Sequence, residues 1–167
     1  MQFFCYHRDR VGSTPLRASL TEEHWSYMDR FELIARGPTF LDDDTLTGSV
    51  HVVELPDVAA ARAFVFDEPS YQAGAYRDVL LRRTVWQVLD SSVTGGYLAI
   101  GFLDRPEPYT GLPTVRADLA GFGPLLSDDG ALLLGAAALA PTEAAARGAL
   151  DRFPVVEAHL WTRGGRG

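Results

Sequence analysis

Two stretches of the chain carry the same marks in the same order: Gly37-Pro38-Thr39-Phe40-Leu41-Asp42-Asp43-Asp44 and Gly123-Pro124-Leu125-Leu126-Ser127-Asp128-Asp129-Gly130. In each, a Gly-Pro pair precedes an acidic turn at one spacing. An apolar run follows each turn, Gly48 to Leu55 and Ala131 to Leu139, and reads as a strand. Each run ends at a proline that opens an alanine-rich helix. Pro56-Asp57 leads into Val58–Phe66, and Pro141 leads into Thr142–Leu150. Pro56 and Pro141 are each followed at the same distance by an Ala-Arg pair, Ala61-Arg62 and Ala146-Arg147. The shared order along the chain points to an internal duplication.

Working outward, Phe3 to His7 is a short aromatic strand and Tyr97 to Leu103 is its counterpart. Val79 to Trp86 and Val155 to Trp161 close the two copies as strands. Ser19 or Thr21 is expected to cap a first helix, with Glu22 and Glu23 in its first turn. Trp25, Met28 and Phe31 recur at helical spacing with Leu33 and Ile34 behind them, and Gly37-Pro38 is expected to stop this helix. Thr114 to Phe122 is expected as a short helix in the second copy, and a further short strand has room near Thr39. The pattern is α+β, with two ferredoxin-like βαββαβ-type repeats packed sheet to sheet as an intramolecular α+β barrel. The repeats are expected at 1–89 and 97–167, joined by the polar, glycine-bearing linker 90–96. The cavity between the two sheets is the expected ligand site.

Composition narrows the chemistry. The 167 residues carry a net charge of −7, and all fifteen basic residues are arginines. An acidic chain argues against nucleic acid as a partner. Without lysine there is no Schiff base and no phosphate-binding loop of the Walker type. The single cysteine, Cys5, rules out an intramolecular disulfide and a cysteine-rich zinc site. It reads as a small buried hydrophobe. No His-x-His or HExxH spacing supports a metal site, and no cofactor motif is present. No stretch is long and apolar enough for a membrane span, and the first residues lack the features of a signal peptide. The expectation is a cytoplasmic protein with a small-molecule substrate, no membrane partner and no cofactor. A duplicated chain is the counterpart of a dimer, so it is expected as a monomer of this pseudo-dimeric kind or as a homodimer.

Arg17, His24, Arg36-Gly37-Pro38, Gly48-Ser49, Asp67-Glu68-Pro69, Ala73-Gly74-Ala75-Tyr76 and Arg82-Arg83-Thr84-Val85-Trp86 occur in that order. With this set the first 88 residues resemble the YciI-like, or YCII-related, proteins of the dimeric α+β barrel group. The second half resembles a degenerate copy found in longer members, ending in Arg163-Gly164-Gly165-Arg166. The resemblance implies an acid–base pair made of His24 and the acid before Pro69. It also implies activity on small phenolic, chlorinated or quinonoid rings, including dehydrochlorination. The usual Asp-Pro is Glu68-Pro69 here, and Asp67 competes for the role.

A histidine can take and give a proton near neutral pH, and a carboxylate beside it fixes its tautomer. His24 is therefore the candidate catalytic residue, with Glu68 or Asp67 as its partner. Arg36, Arg83 and Arg17 are candidate holders of a substrate oxygen anion, and Trp86 is a candidate wall for an aromatic ring. His7, His51 and His159 fall in expected strands, where a lone histidine is more often structural. Carried into the second copy, His24 falls near Thr110 and Glu68 near Phe153, so one competent site per chain is expected. The leading reading is a cofactor-free acid–base enzyme for elimination, isomerisation or cyclisation. The alternatives are a cofactor-independent oxygenase on a phenol and a non-catalytic ligand-binding or assembly module.

Overall fold

Strand and helix signals alternate along the chain, and the elements they form fall into two packing units. The structure, a computed structural model, describes residues 1–111 and 118–166. Unit 1 comprises Met1–Leu81 with Arg163–Gly167, and unit 2 comprises Arg82–Thr162. The division by packing falls inside a strand, whereas the proposed sequence repeats part at residues 90–96.

The first repeat contains β1 (Gln2–Asp9), α1 (Thr14–Ser19), α2 (Thr21–Met28), β2 (Leu33–Phe40), β3 (Leu46–Glu54), α3 (Val58–Phe66), α4 (Pro69–Gln72) and β4 (Tyr76–Thr84). Its strands run in the order β4-β1-β3-β2, with β1 and β2 both antiparallel to β3. This is the ferredoxin-like order. One face of the sheet carries the helices. There Phe3, Cys5 and Val53 pack against Met28, Ala61 and Phe64, each at most 1% exposed. The larger of these, Phe3, Met28, Val53 and Phe64, supply about 1.5–3 kcal/mol each relative to exposure. α3 forms where its signals predict: Asp57 caps it by accepting from the Ala60 N–H at 2.8 Å.

Unit 2 contains β5 (Gln87–Val88), β6 (Gly95–Pro108), β7 (Gly121–Leu126), β8 (Leu132–Ala140), α5 (Glu143–Gly148) and β9 (Val155–Thr162). The strand order β9-β6-β8-β7 repeats that of the first copy, strand for strand. Ala146 is fully buried in α5, as Ala61 is in α3. Thr142 caps α5 through the Ala145 N–H at 3.2 Å. Both Gly-Pro pairs occupy matching register positions: Gly37 lies opposite Val50, and Gly123 opposite Ala137.

Three local expectations are corrected. The first helix ends at Met28, and residues 33–40 form β2 with Gly37-Pro38 inside it. Phe31 lies beyond the helix, in a bend, and is held by an edge-on contact with the Phe64 ring at 4.8 Å. Neither Ser19 nor Thr21 caps α2, whose N-cap is Leu20 with no side-chain hydrogen bond. The two hydroxyls donate backward to the Leu16 and Ala18 carbonyls, at 2.7 and 3.0 Å. The helix expected at Thr114–Phe122 lies partly outside the described residues, and its described end enters β7 rather than a helix. Among the described residues no helix is long and apolar enough to cross a membrane.

Phe64 touches both α2 and the sheet through this core. Phe64→Ala is expected to cost unit 1 about 3–5 kcal/mol, measured by urea unfolding. A loss below 1 kcal/mol would show that this packing does not hold the helices to the sheet.

Candidate functional site

Glu68 stands between α3 and α4, where Asp67 ends the first helix and Pro69 opens the second. Its Oε2 accepts from the Tyr71 N–H at 2.8 Å, making Glu68 the N-cap of α4. Its Oε1 lies 2.7 Å from His24 Nδ1. The Glu68 side chain is 0% exposed and that of His24 is 14% exposed. Burial alone would raise the Glu68 carboxyl. The hydrogen bond and charge of His24, with the Ser70 and Tyr71 N–H groups, outweigh burial and hold it below the ordinary glutamate value. An ionised carboxylate can only accept, so His24 Nδ1 carries the hydrogen, and in the neutral ring the lone pair lies on Nε2. The structure thus selects between the two acids: Asp67 is exposed at the helix end, and Glu68 makes the pair.

Two further histidines, read from the sequence as structural, lie beside this pair. His51 is on β3, its ring 5.6 Å from that of His24. His7 is on β1, 6.2 Å from His51 and 4.6 Å from the Tyr76 ring. His7 Nε2 donates to the Val65 carbonyl at 3.1 Å, which leaves Nδ1 bare in the neutral ring. His7 Nδ1 and His51 Nδ1 are buried without a hydrogen-bond partner. Burial, opposed by the Val65 carbonyl and by Glu68, lowers His7 to about 4. Burial, reinforced by the neighbouring His24, His7, Arg17 and Arg36, pushes His51 well below the ordinary histidine value. Strand parity was the available signal: His51 alternates with the core residue Val53, and His7 with Cys5.

The same parity locates the pair. His51 shares the face of Cys5 and Val53, which pack against the helices. The pair therefore lies on the helix-facing side of this sheet. The reason is local, because His24 and Glu68 are both supplied by the helical layer.

The candidate arginines separate. Arg36 lies opposite His51 in the strand register, and its Nη1 is 3.6 Å from Asp29 Oδ1. Arg17 is committed to the fold. Its Nη1 donates to both Asp9 carboxylate oxygens at 3.0 and 3.1 Å and to the Gly48 carbonyl at 3.1 Å. Its guanidinium also sits over the Tyr76 ring at 5.3 Å. Arg83 belongs to unit 2, where its guanidinium lies against Gly130 and its charge helps hold Asp129 low. Trp86 is 7% exposed in the same unit, its ring packed over Gly121 and Gly123. His159 lies beside Glu157 in β9 at 3.6 Å. Cys5 is fully buried, and burial pushes its thiol up, away from nucleophilic character. Among the described residues no group of three His, Cys, Asp or Glu side chains could hold a metal ion.

The second copy keeps the frame and loses these groups. The register position of His51 is taken by Ala138 and that of His7 by Gly101. The residue before the proline, Glu68 in the first copy, is Phe153 in the second. The Phe153 ring lies so close over Gly101 that a Cβ there would fall 2.9 Å from it. Thr110, carried over from His24, is exposed.

The histidine shifts set an acid limit. In the window between the unfolded value near ~6.5 and the folded value of His7 at about 4, the unfolded chain binds the extra proton. Stability therefore falls as pH drops through this window, by roughly 3 kcal/mol for His7, and His51 acts in the same direction. The lowered Glu68 adds a loss that begins as pH falls through the ordinary carboxylate value and is complete below its own lower one. Denaturant titrations at pH 7, 5.5 and 4 should show this decline, and His7→Gln should flatten it. A flat profile between pH 7 and 4 would contradict the buried neutral assignment.

The YCII-related domain family matches residues 1–86. No curated protein gives a significant match. One similar solved structure is the 5-chloro-2-hydroxyhydroquinone dehydrochlorinase of Burkholderia phenoliruptrix in complex with 2,5-dihydroxybenzoquinone. It is 28% identical, covers 50% of this chain and 92% of its own, and has a TM-score of 0.47. A monooxygenase-like protein of Lactobacillus acidophilus is 7% identical over 97% of this chain and 93% of its own, at a TM-score of 0.49. An anthrone oxidase-like protein is 9% identical over 98% and 90%, at 0.50, a likeness of fold alone. The chain shares the mixed α+β fold class of the last of these. With the matched residues holding both His24 and Glu68, the chain belongs to the YCII-related domain family.

Proposed function

We propose that the chain is an acid–base enzyme needing no cofactor. Its substrate is a small aromatic or quinonoid molecule, and its reaction is elimination, isomerisation or cyclisation. One observation carries the reading: a partly exposed imidazole bonded at 2.7 Å to a fully buried carboxylate that stays ionised. Such a carboxylate fixes the tautomer and stabilises the imidazolium formed when the ring takes a proton. His24 Nε2 is then the proton acceptor and, once charged, the donor. In an elimination it removes a proton from the ring substrate as a leaving anion departs. Arg36, opposite His51 in the strand register, is the candidate to hold a developing oxygen anion. His51 and His7 are uncharged at neutral pH and add no competing positive charge beside His24. Membership of the YCII-related family supports a small-molecule enzyme without naming its substrate.

The test is turnover of a panel of hydroxylated and halogenated phenols and quinols, followed by ultraviolet absorption and halide release. His24→Ala should lower kcat by about 10²–10⁴-fold, the range of a lost general base. Glu68→Gln should lower kcat by a smaller factor and leave KM near that of the wild type. A folded His24→Ala protein that turns substrate over at the wild-type rate would overturn the assignment.

A further inference from the structure

We propose that the segment Arg163–Arg166 is a working part of the site, a strap that fixes α2 and Arg36, with Arg166 as a positioning residue for His24. The proposal rests on the reading of His24 as the group that moves the proton.

Arg166 meets α2 at three positions along one face. Its Nη2 and Nη1 bind Glu22 Oε1 and Oε2 at 2.6 and 3.0 Å, and Nη2 also donates to Ser26 Oγ at 3.2 Å. Its Nε donates to Asp29 Oδ2 at 2.9 Å. The guanidinium sits over the Trp25 ring at 5.6 Å. These residues bracket His24 in sequence from the first residues of α2 to its C-cap. A single exposed ion pair is worth little, but a fork held at both ends of one helix restrains its orientation. α2 needs such a restraint, because it has only 8 residues and no side-chain N-cap.

The strap also reaches β2. Gly164 donates its N–H to the Arg36 carbonyl at 3.2 Å. Asp29 is shared, with one oxygen on Arg166 and the other 3.6 Å from Arg36. Gly165 has φ of 114°, and a Cβ there would fall on the Arg36 guanidinium. Glycine at 165 is thus favoured by its positive φ, and a larger side chain there would push the Arg36 guanidinium aside. The segment ties the helix that carries His24 to the strand position opposite His51.

The test uses the full chain with Arg166→Ala, Arg166→Lys and Gly165→Val. Arg166→Ala should speed amide exchange over residues 21–28 by about tenfold and leave α3 unchanged. It should also broaden the downfield proton resonance of His24 Nδ1–H, the signature of its bond to Glu68. Gly165→Val keeps the charge, dislodges the segment and should give the same two effects. Arg166→Lys keeps the charge without the fork and should stay closer to the alanine variant than to the wild type. The proposal is overturned if exchange over α2 and the His24 resonance are unchanged in both Arg166→Ala and Gly165→Val, or if lysine rescues fully. Exchange and resonance need no substrate, so failure of the enzymatic reading in the His24→Ala assay is read separately from failure of the strap.

Discussion

Taking a carboxylate out of water costs several kcal/mol unless donors replace the lost hydration. Glu68 meets that cost with donors supplied by different elements: the Ser70 and Tyr71 N–H groups of α4 and the Nδ1–H of His24 on α2. Much of unit 1 follows from this. Pro69 starts a new helix at the residue after the acid, which turns the Tyr71 N–H back onto Oε2. α2 must lie where His24 can reach Oε1, and the core contacts of Met28 and Tyr27 with Phe64 hold it there. The charge on Glu68 then decides which imidazole nitrogen faces outward. Chain direction, capping and tautomer are one constraint seen at three scales.

Elements with strong local signals were legible in the sequence. α3 occupies Val58–Phe66 because Pro56, Asp57 and an alanine-rich run all favour a helix there. The acidic turn at Asp42–Asp44 joins two strands as its composition suggests. Gly37-Pro38 misled because glycine and proline stop helices and also occur in strands. In β2 the missing Pro38 N–H is tolerated, while the pair still holds register with Val50 and Ser49. The His24–Glu68 bond joins residues 44 apart, and no spacing rule reaches across that distance. Family resemblance supplied the pairing, and helix-end geometry then chose Glu68 over Asp67. His7 and His51 were visible as strand residues, but their approach to His24 depends on three elements meeting on one face.

The two copies differ in what the same strand order is used for. Sequence marks and topology agree that one repeat echoes the other, with β4-β1-β3-β2 matched by β9-β6-β8-β7. We retain the repeats at 1–89 and 97–167 as a proposal. Division by packing follows contacts and assigns Arg163–Gly167 to unit 1 instead. That assignment gives the Arg-Gly-Gly-Arg segment a structural meaning that its position in the second repeat would hide.

The second copy also answers whether the buried polar groups of the first are there for stability. At the matching positions it places Phe153, Gly101 and Ala138, and the Phe153 ring packs directly over the glycine. At these described positions the same topology uses hydrocarbon in place of the polar groups. An apolar solution avoids both the desolvation of a carboxylate and the cost of two imidazole nitrogens left without partners, each about 1–3 kcal/mol. Unit 1 instead buries Glu68, paired to its donors, and His7 and His51, whose Nδ1 atoms are unpaired. Stability favours the second arrangement, and so does simplicity of packing. What the first arrangement adds is an imidazole of fixed tautomer at a partly exposed position. The cost of the buried groups is thus an argument, independent of family resemblance, that this corner is shaped for chemistry.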